Sequence, residues 1–153
     1  MSVEERLAGL GVELPPAPAP LASYLPVVVT GMLAFVAGQV PLFEGKLVVA
    51  GKLGAELDVD AGADAARRCV LQALSVLKAE LGSLERIRRI VKLTVFVASA
   101  PGFTDQPKVA NGASDLLKDL FGEMGRHARS AVGVAELPLG APVEVEVIAE
   151  IAP

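Results

Sequence analysis

Two segments near the C-terminus alternate valine with small or charged residues, and this constrains the fold more than any other feature. They are Ala128-Arg129-Ser130-Ala131-Val132-Gly133-Val134 and Val143-Glu144-Val145-Glu146-Val147. A period of two belongs to a strand with one buried face, because successive side chains point to opposite sides of a sheet. The stretch between them carries Leu137-Pro138 and Gly140, so the pair reads as a terminal hairpin. Val132 and Val134 then share one face, and Arg129, Ala131 and Gly133 the other. On the last strand Val143, Val145 and Val147 oppose Glu144 and Glu146. With the valines turned inward, Arg129 and both glutamates are expected on the far side, and Ala131 and Gly133 leave free volume beside the guanidinium.

That grouping suggests a small anion site. A guanidinium stays charged and grips a carboxylate through two parallel hydrogen bonds. A partly buried glutamate beside it can position or deprotonate a water. A cross-strand Arg–Glu salt bridge with no ligand meets the same parity and is worth about 0.2–1 kcal/mol. Parity does not choose between Glu144 and Glu146.

The rest of the chain supplies a framework for this pair. Val3, Leu7 and Leu10 share a helical face that Gly11 ends, and the proline-rich run Leu14–Pro20 forces an extended segment. That run is expected to be a linker or to pack across a neighbouring subunit. Tyr24–Thr30 and Leu33–Ala37 read as paired strands about Gly31. Gly38-Gln39-Val40-Pro41 breaks the pattern, and Leu47–Ala50 reads as a short third strand. Asp58 or Asp60 opens a long helix ending near Gly82, with Val70, Leu74, Leu77 and Leu81 as its buried stripe. Cys69 beside the stripe reads as a small buried hydrophobe. Val91–Val97 alternates as a strand. Asp105 and Pro107 start a second helix, which Gly122 and Gly125 end. The order β-β-β-α-β-α-β-β predicts an α+β fold, a mixed six-stranded sheet with two helices on one face. The uncovered face has to be hidden, and association of copies is the expected means.

Composition narrows the function classes. At 153 residues the chain fits one domain with a full core, divided here into an N-terminal extension over 1–23 and a domain over 24–153. Hydrophobic residues make up 52% and aromatics only 4%, and the mean hydropathy of +0.52 favours surface buried in an oligomer. A net charge of −4 and a pI near 5.0 speak against nucleic acid as partner. The basic cluster Arg86, Arg88, Arg89 and Lys92 reads as a solvated rim. The N-terminus lacks the apolar core of a signal peptide, and no apolar run reaches the ~18 residues of a membrane span, so a cytoplasmic protein is expected. A single cysteine excludes an intramolecular disulfide, and with one histidine leaves only carboxylates for a metal. His127 reads as a rim residue. Ser130 has no His/Asp arrangement for serine hydrolysis.

At the same residues the chain resembles the RidA/YjgF family of enamine/imine deaminases. The resemblance is carried by Ala128-Arg129-Ser130-Ala131-Val132, Leu137-Pro138 and Val143-Glu144-Val145. Further matches are Ala37-Gly38-Gln39-Val40-Pro41, the strand Val91–Val97, Tyr24 ahead of the glycine element and Asn111 on the second helix. It covers about Tyr24–Ile151.

The resemblance implies a chorismate-mutase-like fold and a homotrimer with sites between subunits. It implies that Arg129 binds the substrate carboxylate, that Glu144 holds the attacking water and that Tyr24 lines the pocket. Ala37, Gly38, Ala131 and Asn111 are the implied substrate-binding positions. The implied reaction is hydrolysis of a 2-imino acid to a 2-keto acid and ammonia without metal or organic cofactor. Three positions depart from the pattern: Ala37 for the usual Ser, Ala131 where many members have Cys, and His127 for Pro or Ala. The other readings are a non-catalytic binder or sensor of small carboxylates and an endoribonuclease. The latter lacks a histidine pair, a basic face and stacking aromatics.

Overall fold

The computed structural model describes residues 1–19 and 23–153; Pro20, within the expected extended run, lies outside them. The chain runs α1 (Val3–Gly9), β1 (Val27–Thr30), β2 (Leu33–Gln39), β3 (Leu42–Phe43), β4 (Lys46–Leu47), α2 (Val59–Leu81), β5 (Ile87–Ala98), α3 (Gln106–Phe121), β6 (Ala128–Val134) and β7 (Val143–Ile151). The fold is α+β. Its main sheet has five strands in the order β1-β2-β7-β5-β6, rather than six. The strand expected at Leu47–Ala50 shrinks to β4, which pairs only with β3 in a separate ribbon.

Local chemistry sets the helix ends. The Asp58 carboxylate accepts from the Ala61 N–H at 2.9 Å and starts α2, and Gly82 ends it at a left-handed φ of 83°. Val70, Leu74 and Leu77 are fully buried, as the stripe predicts, and so is Cys69. Pro107 stands in the first turn of α3, where its missing N–H costs nothing.

The two helices pack unusually closely. A Cβ added at Gly112 of α3 falls 2.8 Å from the Ala63 Cα of α2, against backbone that cannot swing aside. Gly112→Ala is therefore expected to cost about 2–3 kcal/mol and to lower the thermal midpoint by about 5–10 °C, read by calorimetry at fixed protein concentration.

The terminal hairpin does not form. β6 pairs with β5 in parallel, Leu93 beside Arg129 and Phe96 beside Val132. β7 lies on the other side of β5, antiparallel, with Phe96 beside Glu144 and Thr94 beside Glu146. A whole strand therefore separates the two segments. The connection 135–142 allows this, since crossing two inter-strand spacings needs only ~10 Å.

The facing also changes. Leu93, Val95 and Val97 are fully buried beneath the helices, and Arg129, Ala131 and Gly133 share their side of the sheet. Val132 points the opposite way, 44% exposed, in the same row as Glu144. Arg129 and the glutamates thus occupy opposite faces of one sheet. Side chains alternate along each strand as parity predicts, but only the valines of β7 face the core, while Val132 of β6 faces away from it.

Over its described residues the N-terminal region packs on the body of its own chain. Val3 and Leu7 belong to the core, and Val12 and Leu14 pack against it. Arg6 donates to the Leu120 carbonyl at 3.2 Å, the Val3 N–H to Glu85, and the Ser75 hydroxyl to the Pro15 carbonyl. The segment is a strap across the helix layer. Among the described residues, no helix is long and apolar enough to cross a membrane.

Candidate functional site

On the helix face, Arg129 is held from α3. Its Nη1 donates to Asn111 Oδ1 at 2.9 Å and to Ser114 Oγ at 3.1 Å. Asn111 and Ser114 stand three residues apart, so one helical face presents both. The Ser114 hydroxyl also lies 2.9 Å from His127 Nε2, and His127 Nδ1 lies 2.7 Å from the Gly125 carbonyl. His127 is half-buried rather than a free rim residue. Burial lowers its pKa from the ordinary histidine value; the Gly125 carbonyl opposes this, and the nearby Arg129 charge adds to it. The balance favours the neutral imidazole. Asp115, Lys118 and Arg126 complete an open cleft of 380 Å³ around Arg129.

The open face of the sheet carries the other group. A bulge between Val36 and Gln39 places Ala37 and Gly38 together opposite Glu146 and turns Gln39 into the core. The Glu144 side chain lies directly over Gly38: a Cβ built there sits 2.9 Å from the Glu144 Cδ. The glycine is needed for this close approach. Burial raises the Glu144 pKa above the ordinary carboxylate value, and the Glu146 charge adds to the effect. Among the described residues no ion pair neutralises it. The bulge thereby ranks the two carboxylates, since Glu146 is exposed and Glu144 half-buried.

Gly38→Ala is expected to push the Glu144 carboxylate aside while the fold persists, which a crystal structure of the variant and its circular dichroism check.

A second cleft of 270 Å³ opens on this face, lined by Leu25, Val28, Phe35, Ala37, Lys92 and Glu146 among others. Tyr24, adjacent to Leu25 and ahead of β1, is 57% exposed.

The expected site residues therefore fall into two groups. Arg129, Asn111 and Ala131 lie on the helix face; Glu144, Ala37 and Gly38 lie on the open face; Tyr24 precedes β1. One copy of the chain does not bring Arg129 and Glu144 together. Ser114 is the contact that sequence reading missed, although its i, i+3 spacing from Asn111 was a usable signal.

Comparison with known proteins bears on this arrangement. Residues 4–151 match the family described as "YjgF/chorismate_mutase-like, putative endoribonuclease". "Protein TCP17" of Trypanosoma cruzi is 51% identical over 150 residues, covering 97% of this chain and 94% of that protein. A 2-iminobutanoate/2-iminopropanoate deaminase of Dermatophagoides farinae is 30% identical over 139 residues, covering 90% and 92%. A crystal structure from Shewanella oneidensis MR-1, described as a "putative endoribonuclease", superposes with a TM-score of 0.95 at 37% identity, covering 99% of this chain and all of that one (100%). With this match over nearly its whole length, the chain belongs to the RidA/YjgF family.

Proposed function

We propose that the protein hydrolyses small reactive 2-imino or enamine acids to 2-keto acids and ammonia, in clefts shared between copies of a homotrimer. The observation that carries this reading is the division of the site. Arg129 is braced with part of its guanidinium unspent on one face, and an unneutralised Glu144 lies over Gly38 on the other. Both become useful when a neighbouring copy brings its own Arg129 edge to the open face. The exposed side chains of Val28, Phe35 and Val132 on that face give association an apolar driving force.

In this reading the Arg129 guanidinium binds the substrate carboxylate and Glu144 takes a proton from water as its oxygen bonds to the imine carbon. Starting from the protonated imine, this gives a neutral carbinolamine; Glu144 then returns the proton to the nitrogen, and ammonia leaves as the C–N bond breaks and the C=O bond forms, the hydroxyl proton passing back to Glu144 and from there to solvent. Tyr24 walls the pocket, and the backbone at Ala37, Gly38 and Ala131 supplies further hydrogen-bonding groups. Neither a metal nor an organic cofactor enters the chemistry. The similarity to the D. farinae deaminase supports the substrate class, and a cytoplasmic setting suits it. An RNA-cleaving role asks for paired acid–base groups and a basic surface, whereas the chain has one histidine and a net charge of −4.

The test couples the purified protein to an amino-acid oxidase and follows loss of the imine. Accelerated loss is expected. A 2-keto acid that raises the thermal midpoint with no acceleration points instead to a carboxylate sensor. A pH signature is also expected. A general base acts ionised, so kcat/KM falls as pH drops through the raised pKa of Glu144. The acidic limb then lies above the ordinary carboxylate range, and it disappears in Glu144→Gln.

A further inference from the structure

The brace behind Arg129 has a direction. The Gly125 carbonyl can only accept, so His127 Nδ1, 2.7 Å away, carries the proton. In the neutral ring Nε2 is then a bare acceptor, and it faces Ser114 Oγ at 2.9 Å. The Ser114 hydroxyl has one proton to give, and that proton goes to Nε2. Its oxygen is left to accept from Arg129 Nη1 at 3.1 Å, while the second Nη1 proton goes to Asn111 Oδ1 at 2.9 Å. Every proton in the series has one assignment. Both Nη1 protons are spent inward, so the Nε–H and Nη2–H edge remains, the side-on edge that holds a carboxylate with two parallel bonds.

We propose that His127 and Ser114 are positioning residues that fix the rotation of the Arg129 guanidinium, through a relay from the Gly125 carbonyl to His127 to Ser114 to Arg129, so that its Nε–Nη2 edge faces an incoming carboxylate. The inference rests on the reading of Arg129 as the carboxylate clamp and adds the device that orients it. It also accounts for the imidazole at 127 and the hydroxyl at 114, which the hydrolytic chemistry itself does not use. The charged side chains around the relay are Asp115 and Lys118 from α3 and Arg126 and Arg129 from the β6 side. None of them provides the acceptor that Ser114 needs for its proton in this arrangement.

Because His127 is the only histidine in the chain, its ring nitrogens can be observed by NMR without ambiguity. The expected spectrum at pH 7.5 is that of the Nδ1–H tautomer, and Ser114→Ala shifts the Nε2 resonance. Binding of 2-oxobutanoate by calorimetry gives the second readout. Ser114→Ala and His127→Ala are each expected to weaken it about tenfold at an unchanged thermal midpoint, and Ser114→Thr, which keeps the hydroxyl, to restore it. An Nε2–H tautomer, an Nε2 resonance indifferent to Ser114→Ala, or affinities within about twofold of wild type overturn the proposal. If the wild type does not bind 2-oxobutanoate, the carboxylate-clamp reading itself fails, and the tautomer measurement still decides whether the relay exists.

Discussion

Replacing Arg129 by alanine is expected to lower kcat/KM for a 2-imino acid by about 30- to 1000-fold, with most of the loss in KM. The guanidinium is braced by Asn111 and Ser114 before any ligand arrives, so little ordering cost remains to be met on binding. Removing one partner of a hydrogen-bonded charge pair typically costs about 2–4 kcal/mol, which corresponds to that range. Arg129→Lys should recover only a small part. Lysine offers a point charge without the planar fork, and it cannot donate to Asn111 and Ser114 while presenting a second edge. Arg129 is only half-buried, so the thermal midpoint should move little. A large drop in midpoint together with unchanged KM would assign the residue to the fold.

Glu144→Gln should act on the other kinetic constant. The substitution keeps size and shape over Gly38 but removes the base, and kcat is expected to fall by about 10²–10⁴-fold with KM near wild type. Stability should move the opposite way. The folded-state pKa of Glu144 is raised, so its contribution is fully present below the unfolded pKa and is lost as pH rises through the folded value. At pH 8 the folded chain therefore carries an ionised carboxylate in a poorly solvated place. A neutral amide relieves this, and the midpoint of Glu144→Gln at pH 8 should equal or exceed that of wild type, with the gain vanishing near pH 4. Loss of activity combined with loss of stability would instead mark Glu144 as a structural residue.

Much of the architecture was legible in the chain because short-range rules govern it. Asp58 and Gly82 bound α2 through side-chain capping and a left-handed end, and the stripe Val70–Leu81 marks its buried side. Strand parity likewise separates Arg129 from Val132 and Glu144 from Val145. Which strands become neighbours is a long-range matter. Nothing in the alternation of 128–134 and 143–147 reveals that β5 inserts between them, and that insertion moves Arg129 and Glu144 to opposite faces. The family resemblance favours Glu144 where periodicity does not choose, and in the structure a bulge at Ala37–Gly38 lets this carboxylate lie over glycine. The partnership of Ser114 with His127 was hidden because it joins a helix to the start of a strand thirteen residues away.

The central claim is that a working site takes Arg129 from one copy and Glu144 from another. Mixing Arg129→Ala and Glu144→Gln chains in equal amounts, with subunit exchange verified by distinct tags, tests it directly. At substrate well below KM each variant alone is nearly inactive. In randomly mixed trimers, about a quarter of the shared clefts pair an intact arginine with an intact glutamate. The account predicts recovery of imine hydrolysis to about a quarter of the wild-type rate. Verified mixed trimers that stay as inactive as the parent variants would contradict it.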